Sequence, residues 1–350
     1  MSGHLARLAR GPRPAGGAAA ERARAYCADV LGSLGFAIGE RSFEYSKVSG
    51  AWAAPFAGLL VPVMATVAYL LRNAPWIAFS AVAGAVTLFL VTVMYFSGPG
   101  VLGAPFMRRR GVNLEAVRGN DEPTVWLVAH VDSKWQPVSM VVRVLGVIVT
   151  VIGLVLLLLS AYLAPTVAPA FLAMVWLGAI PLMLSVVGDK SDGAVDNASG
   201  VATVLEAAAL IPPTSRIGVL ITDAEELALA GARAWARSRT PAIALNVDSV
   251  DDQGSLVVMH SGSLPRPLVS AIRKAAADEG EPLMAFRLIP GILTDSVALA
   301  AAGWATVTLS RGTIRTLQRI HTSRDSLAHM DGRGVPGAAR VLARAATELA

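Results

Sequence analysis

Cysteine is almost missing from this 350-residue chain. Cys27 stands alone, which excludes an internal disulfide framework and fits a reducing compartment. Its surroundings, ERARAYCADVLGSL, read as an amphipathic helix in which a buried thiol is expected. Charge is scarce as well: 16% of residues are charged and 54% are hydrophobic, an unusual balance for a soluble protein. Basic residues outnumber acidic ones, 30 to 25, but they lie scattered or beside apolar segments. Without an aromatic-interleaved basic stripe, nucleic acid is not an expected partner. The first residues, MSGHLARLARGPRPAGGAAAE, contain no continuous apolar core, so they do not read as a cleavable signal peptide, and disorder is expected at their start.

Four long apolar runs account for the hydrophobicity. Residues 51–71 and 76–96 form one pair, separated by Arg72 and Asn73; residues 138–162 and 167–187 form a second, separated by APTV. Each has about the twenty residues that a 30 Å hydrocarbon core requires, and none contains an acidic residue. Arg143 lies near the start of the third run, where it can snorkel to an interface. One such run suits a soluble core, whereas four predict two transmembrane hairpins in contact with a lipid bilayer. Each hairpin returns the chain to the side it left. Arg41, Lys47, Arg108, Arg109, Arg110, Arg118, Lys134 and Lys190 fall on the shared side and only Arg72 on the other. The positive-inside rule then predicts a multi-pass plasma-membrane protein with its polar part in the cytoplasm.

Outside the hairpins, short apolar strands alternate with amphipathic helices. FAIGERSFEYS reads as a strand or extended arm, and GVNLEAV, TVWLVAHVD, RIGVLIT, PAIALNVDSV, GSLVVMH, MAFRLI and WATVTLS read as strands. Helices are expected over residues 20–35, in ASGVATVLEAAALI, LALAGARAWARS, PLVSAIRKAAADEG and DSVALAAAG, and at the C-terminus. This alternation predicts an α/β fold with a mixed sheet flanked by helices. The expected domain is discontinuous, formed by residues 1–50, 97–137 and 188–350, with hairpins at 51–96 and 138–187.

Polar residues gather at the predicted strand ends, where functional groups collect in open α/β sheets. His130 and Asp132 end one strand, Glu225 and Glu226 follow another, and Asp248 ends a third. Asp196 opens a helix after GDKSDGAVDNASG, and His321 lies in the polar stretch RIHTSRDS. Each has a plainer reading: Asp196 with Asn197 as a helix cap, His130 as a strand-end histidine, Glu225 and Glu226 as first-turn acids, Asp248 as a turn residue. Together, imidazoles and carboxylates without cysteine favour a catalytic metal site.

The ordered set HVD (130–132), DNASG (196–200), DAEE (223–226), NVD (246–248), TDS (294–296) and IHTSRD (320–325) resembles metallopeptidase family 28, the di-zinc aminopeptidases and related carboxypeptidases. The resemblance implies a mixed sheet flanked by helices, two zinc ions and a peptide substrate. It implies one zinc held by His130 and Asp248, another by Glu226 and His321, with Asp196 bridging them. Glu225 would be the general base, and Asp132 would hold His130 in its ligating tautomer. Adjacent glutamates on an extended backbone point in different directions, which would let them take different tasks. Ala224 stands where glycine is common in the family. Thr294 and Ser296 flank Asp295 where serine and histidine are frequent, which bears on specificity rather than on the metal set. His260 and His329 match no motif; a strand end and a helix surface are their expected places. The expected activity is that of an aminopeptidase, with a carboxypeptidase or another amide-processing reaction as the alternative within the family. A membrane scaffold or transporter with a vestigial peptidase domain is the alternative outside it. Six intact positions, and spans with almost no charge for an ion path, argue against the last.

Overall fold

The computed structural model describes residues 3–96, 98, 100–119, 121–288 and 292–350. In chain order the elements are α1 (Gly3–Leu8), α2 (Ala18–Ser33), β1 (Ala37–Ser46), α3 (Val48–Leu70), α4 (Pro75–Phe96), α5 (Gly100–Gly103), β2 (Arg108–Val117) and β3 (Val125–His130). They continue with α6 (Met140–Leu163), α7 (Ala168–Met183), α8 (Gly200–Leu210), β4 (Ile217–Thr222), α9 (Ala230–Ala236), β5 (Ile243–Val250) and β6 (Leu256–His260). The last are α10 (Arg266–Asp278), β7 (Leu283–Arg287), α11 (Asp295–Ala301), β8 (Ala305–Arg311), α12 (Ile314–Arg319) and α13 (Gly334–Leu349). Contacts divide the chain into two compact units. One comprises Met1–Tyr45, Arg108–Trp135 and Asp189–Ala350; the other comprises Ser46–Met107 and Gln136–Gly188.

The first unit is built on an eight-stranded sheet of order β1-β2-β4-β3-β5-β8-β6-β7. β4, β3, β5 and β8 run parallel, β2 joins β4 antiparallel, and β6 joins β8 antiparallel. The central strands VWLVAH and IGVLIT are buried along their whole length, as expected where helices cover both faces. Trp126 and Val128 on β3, Leu220 on β4 and Ala244 on β5 share one face with Leu229, Trp235, Leu299 and Trp304. Trp235 is central there, with ring centroids 4.8 Å from both Trp126 and Trp304. α8 and α13 pack together over β3 and β5, while α9 packs on β2 and α11 on β3, β5 and β8. The chain passes from β3 to β4 on one side and from β4 to β5 across β3. That reversal of strand order opens a crevice at the carboxyl ends of β3, β4 and β5.

All eight expected strands are present, and the mixed α/β architecture agrees with the sequence reading. Disorder at the chain start is not what the structure shows from Gly3 onward, residues 1 and 2 lying outside those described. Residues 3–8 are helical, and Leu5, Leu8 and Ala9 are buried. α1 packs on α8, so an apolar i, i+3, i+4 pattern too short to stand out holds this segment down.

The second unit contains four helical stretches, Gly50–Leu70, Trp76–Tyr95, Met140–Ser160 and Pro165–Met183, that are long and apolar enough to cross a membrane by length and composition. Trp76, Phe79, Leu88 and Met94 of α4 stand exposed. α6 and α7 make the tightest pair, and α7 also packs on α3, where Trp176 Nε1 donates to Thr66 Oγ1 at 3.0 Å. Ala65, Leu157, Ala168 and Val175 form the buried apolar centre of the unit.

Candidate metal centre

Three parallel strands and two loops deliver the candidate residues to one place. His130 is the last residue of β3 and Asp132 lies just beyond it. Asp248 sits within β5 just after a register shift against β8 that follows Val247. Asp196 does not open a helix as the sequence suggested. It lies in a bend with φ −116° and ψ 90°, four residues before α8, and its peptide bond to Asn197 is cis. The remainder of DNASG explains that bend. Asn197 donates from Nδ2 to Val247 O at 2.9 Å, while its Oδ1 accepts from Gly200 N and Ser249 N at 3.0 and 3.1 Å. Ser199 Oγ accepts from Val250 N at 2.8 Å. The loop bearing Asp196 is thereby fastened to the strand bearing Asp248, and a Cβ on Gly200 would collide with the Asn197 amide.

Glu225 and Glu226 are neither first-turn acids nor part of an extended strand. They occupy a turn that follows β4, and α9 begins only at Ala230. Ala224, Ala228 and Leu229 all have positive φ, at 58°, 66° and 61°, so the backbone reverses tightly around the pair. Both Asp132 carboxylate oxygens hold this turn, accepting from Glu225 N at 3.1 Å and Glu226 N at 3.2 Å. His130 Nδ1 lies 3.1 Å from the main-chain oxygen of Asp132 and 3.6 Å from its carboxylate. The carboxylate therefore acts on the imidazole as a charge, and the carbonyl as the hydrogen-bond acceptor.

Two groups of donors share one carboxylate. His130, Asp196 and Asp248 offer ligand atoms that lie within 4.8 Å of one another, and so do Asp196, Glu226 and His321. Asp196 Oδ1 is 3.2 Å from His130 Nε2, and its Oδ2 is 2.9 Å from His321 Nε2. His321 Nε2 lies 3.2 Å from Glu226 Oε1, and His130 Nε2 lies 3.9 Å from both Asp248 Oδ1 and Glu225 Oε2. His130 Nε2 and Glu226 Oε1 are buried and have no hydrogen-bond partner among the described residues. Such atoms are costly unless something else engages them, and nitrogen and oxygen donors at these separations suit zinc.

The electrostatics point the same way. Five carboxylates, of Asp132, Asp196, Glu225, Glu226 and Asp248, surround two imidazoles. Burial alone would lower the His130 pKa, but Glu225, Asp132, Asp196 and Asp248 raise it well above the ordinary histidine value. Burial opposes ionisation of Asp196, yet the two histidines hold its carboxyl well below the usual range. Burial likewise works against Glu226, while His321 and Lys134 draw it down to about 2. Glu225 goes the other way: burial raises it well above the glutamate value despite His130, and the charges of Glu226, Asp248 and Asp295 add to the rise. Two adjacent glutamates thus sit at opposite ends of the carboxylate range, the separation expected of groups with different roles.

Several residues around the centre carried no assigned role in the sequence reading. Lys134 Nζ lies 2.6 Å from Glu226 Oε2, two residues beyond HVD. Asp325, the last residue of IHTSRD, accepts from Val195 N at 2.7 Å and Asp196 N at 3.2 Å and so fixes the Asp196 bend. Asp295 accepts from Thr222 Oγ1 at 2.5 Å, beneath a hydroxyl network of Thr294, Ser296 and Thr308. The signal available for each was membership of a motif or adjacency to one. His260 ends β6, and His329 is exposed at the end of a short 3-10 helix, Leu327–His329, its Nδ1 3.5 Å from Ser326 Oγ; both places are those expected.

The fold is similar to that of an aminopeptidase from Aneurinibacillus sp. strain AM-1, with a TM-score of 0.60 and 13% identity over 99% of this chain and 92% of that one. It is similar also to BSAP, a zinc aminopeptidase from Bacillus subtilis, with a TM-score of 0.58 and 16% identity over 99% and 93%. A glutaminyl cyclase from Fimbriiglobus ruber shows a TM-score of 0.57 and 14% identity over 99% and 93%. At these identities the likeness is one of fold. No curated protein matches the sequence significantly. Residues 113–346, a span that contains every residue of the two donor groups and both neighbouring acids, match Peptidase family M28, and the chain belongs to that family as a zinc metallopeptidase-like hydrolase.

Proposed function

We propose that the protein is a membrane-anchored di-zinc aminopeptidase. The observation that carries this reading is the position of Asp196, whose two oxygens face two different histidines. One zinc would be held by His130, Asp248 and Asp196, the other by Glu226, His321 and Asp196. When bound, zinc supplies Lewis acidity, polarising a substrate carbonyl and acidifying water. The chain's own residues do the rest. Glu225, whose Oε2 lies 3.9 Å from His130 Nε2, faces the first donor group without belonging to either. Its raised proton affinity suits it to accept a proton at its carboxylate and return it to the leaving amine. Asp132 keeps Glu225 in place by its bond to the Glu225 main-chain nitrogen. The four apolar helices would anchor this unit in the bilayer, with the catalytic face in the cytoplasm.

Membership of the family supports peptide hydrolysis, and the two aminopeptidases named among similar folds favour a free N-terminus as the point of attack. The test is a panel of peptides with free and blocked N-termini, offered to the purified full-length protein and read by mass spectrometry. Loss of single residues from free N-termini is expected, with blocked peptides left intact. Release from C-termini, or cyclisation of a glutamine-initiated peptide with loss of ammonia, would replace the aminopeptidase reading by another amide-processing one. No turnover of any peptide by zinc-loaded protein would leave the vestigial scaffold.

A further inference from the structure

At the head of the chain, between α1 and α2, a guanidinium is buried with no carboxylate among the described residues in hydrogen-bonding contact. Arg13 is 2% exposed. Its Nε donates to Val131 O at 2.8 Å, Nη1 to Leu8 O at 2.8 Å and Asp192 O at 2.6 Å, and Nη2 to Gly193 O at 2.9 Å. Its main-chain nitrogen donates to Ser133 Oγ at 2.9 Å, and its carbonyl accepts from Ser133 N at 2.8 Å. Ser133 Oγ then donates to Ser191 O at 3.0 Å. The loop leaving β3, which carries His130 and Asp132, is in this way joined to the loop that leads into Asp196. The approach is close enough that a Cβ on Gly193 would fall 2.5 Å from both Asp196 O and Ser133 Cβ. The same segment reaches a third loop, where Gly16 N donates to the Asp223 carboxylate at 3.2 Å.

Packing α1 against the sheet unit does not call for a buried cation, and an apolar side chain would avoid the desolvation cost. A planar fork of donors does what an apolar or ammonium side chain cannot: it holds carbonyls of two separate loops at fixed angles at once. The two loops are distant in sequence, since some sixty residues, including α6 and α7, lie between His130 and Asp196. We propose that Arg13 is a positioning residue for the metal centre, setting the separation of His130 and Asp196 at which both can hold one ion. This rests on the zinc-site reading above.

The experiment measures zinc affinity of the purified full-length chain in detergent, by competition with a chromophoric chelator. Arg13→Ala should bind zinc roughly tenfold more weakly or worse, as loss of a residue supporting a ligand does, with kcat reduced and KM little changed. Added guanidinium ion should restore much of that affinity in Arg13→Ala and leave the unsubstituted chain unaffected. Arg13→Lys, which keeps the charge but loses the fork, should remain weakened. Unchanged affinity in folded Arg13→Ala would overturn the proposal. So would a loss that guanidinium does not repair, which would mark a general structural role. If Arg13→Ala does not fold, Ser133→Ala decides: weakened zinc binding supports the joined-loop account, and unchanged binding overturns it. Failure of the unsubstituted chain to bind zinc would overturn the metal centre itself, and the role of Arg13 with it.

Discussion

Ala224 adopts a φ of 58°, a conformation in which an L side chain crowds the following carbonyl at a cost of about 1–2 kcal/mol. It is the residue that turns the chain from Thr222 into Glu225, and its carbonyl accepts from Ala230 N at 3.0 Å. Ala224→Gly removes the crowding but frees the unfolded chain, so a net gain of about 1 kcal/mol is expected. A higher thermal midpoint checks this, and a lower one would show that the Cβ packs more usefully than its φ suggests. The same turn decides how the paired glutamates diverge. The sequence reading separated them by strand alternation, whereas the structure does so by a reversal that Asp132 holds from behind. The residue types of the site were legible because strand ends and motif order select them. Lys134, Asp325 and Arg13 were not assigned, because their partners lie 92, 129 and up to 180 residues away in sequence. No local pattern encodes such pairs.

Among the elements, those with strong periodicity were readable and those stabilised by distant contacts were not. β3 and β4 are unbroken apolar runs, so their burial on both faces follows from composition. α9 begins at Ala230 rather than at Leu227 because Ala228 and Leu229 take left-handed backbone angles, which helix propensity alone would not foresee. α1 is only six residues long and forms because Leu5 and Leu8 are buried in the unit. Within the second unit, α6 and α7 approach through glycine. A Cβ on Gly178 would meet Thr150 N at 2.6 Å and Thr150 Oγ1 at 2.7 Å, and backbone cannot yield as a side chain can. Gly178→Val should therefore separate this hairpin and lower the thermal midpoint of the detergent-solubilised protein. Gly84→Val on α4, where a Cβ meets nothing within 4 Å, should change little. Equal effects of the two would contradict the packing argument.

For the whole molecule, the proposed orientation follows from the basic residues gathered on one side of two hairpins. Cys27 is buried, and burial pushes its thiol up to about 12, so its replacement gives a quiet background for labelling. Single cysteines at Ser238 and Thr166 then report the two sides. An impermeant thiol reagent on intact cells should label Thr166→Cys and spare Ser238→Cys, and the reverse would place the catalytic unit outside. The central claim is that two zinc ions and a separate general base work in one site, and Glu225→Gln tests it most directly. That substitution keeps the shape of the side chain and removes its capacity to accept a proton. Measured together, zinc content should stay near two per chain while peptide turnover falls by about 10²–10⁴-fold, the usual contribution of a positioned base. Full turnover in Glu225→Gln would contradict the mechanism, and loss of zinc would show that Glu225 is itself a ligand.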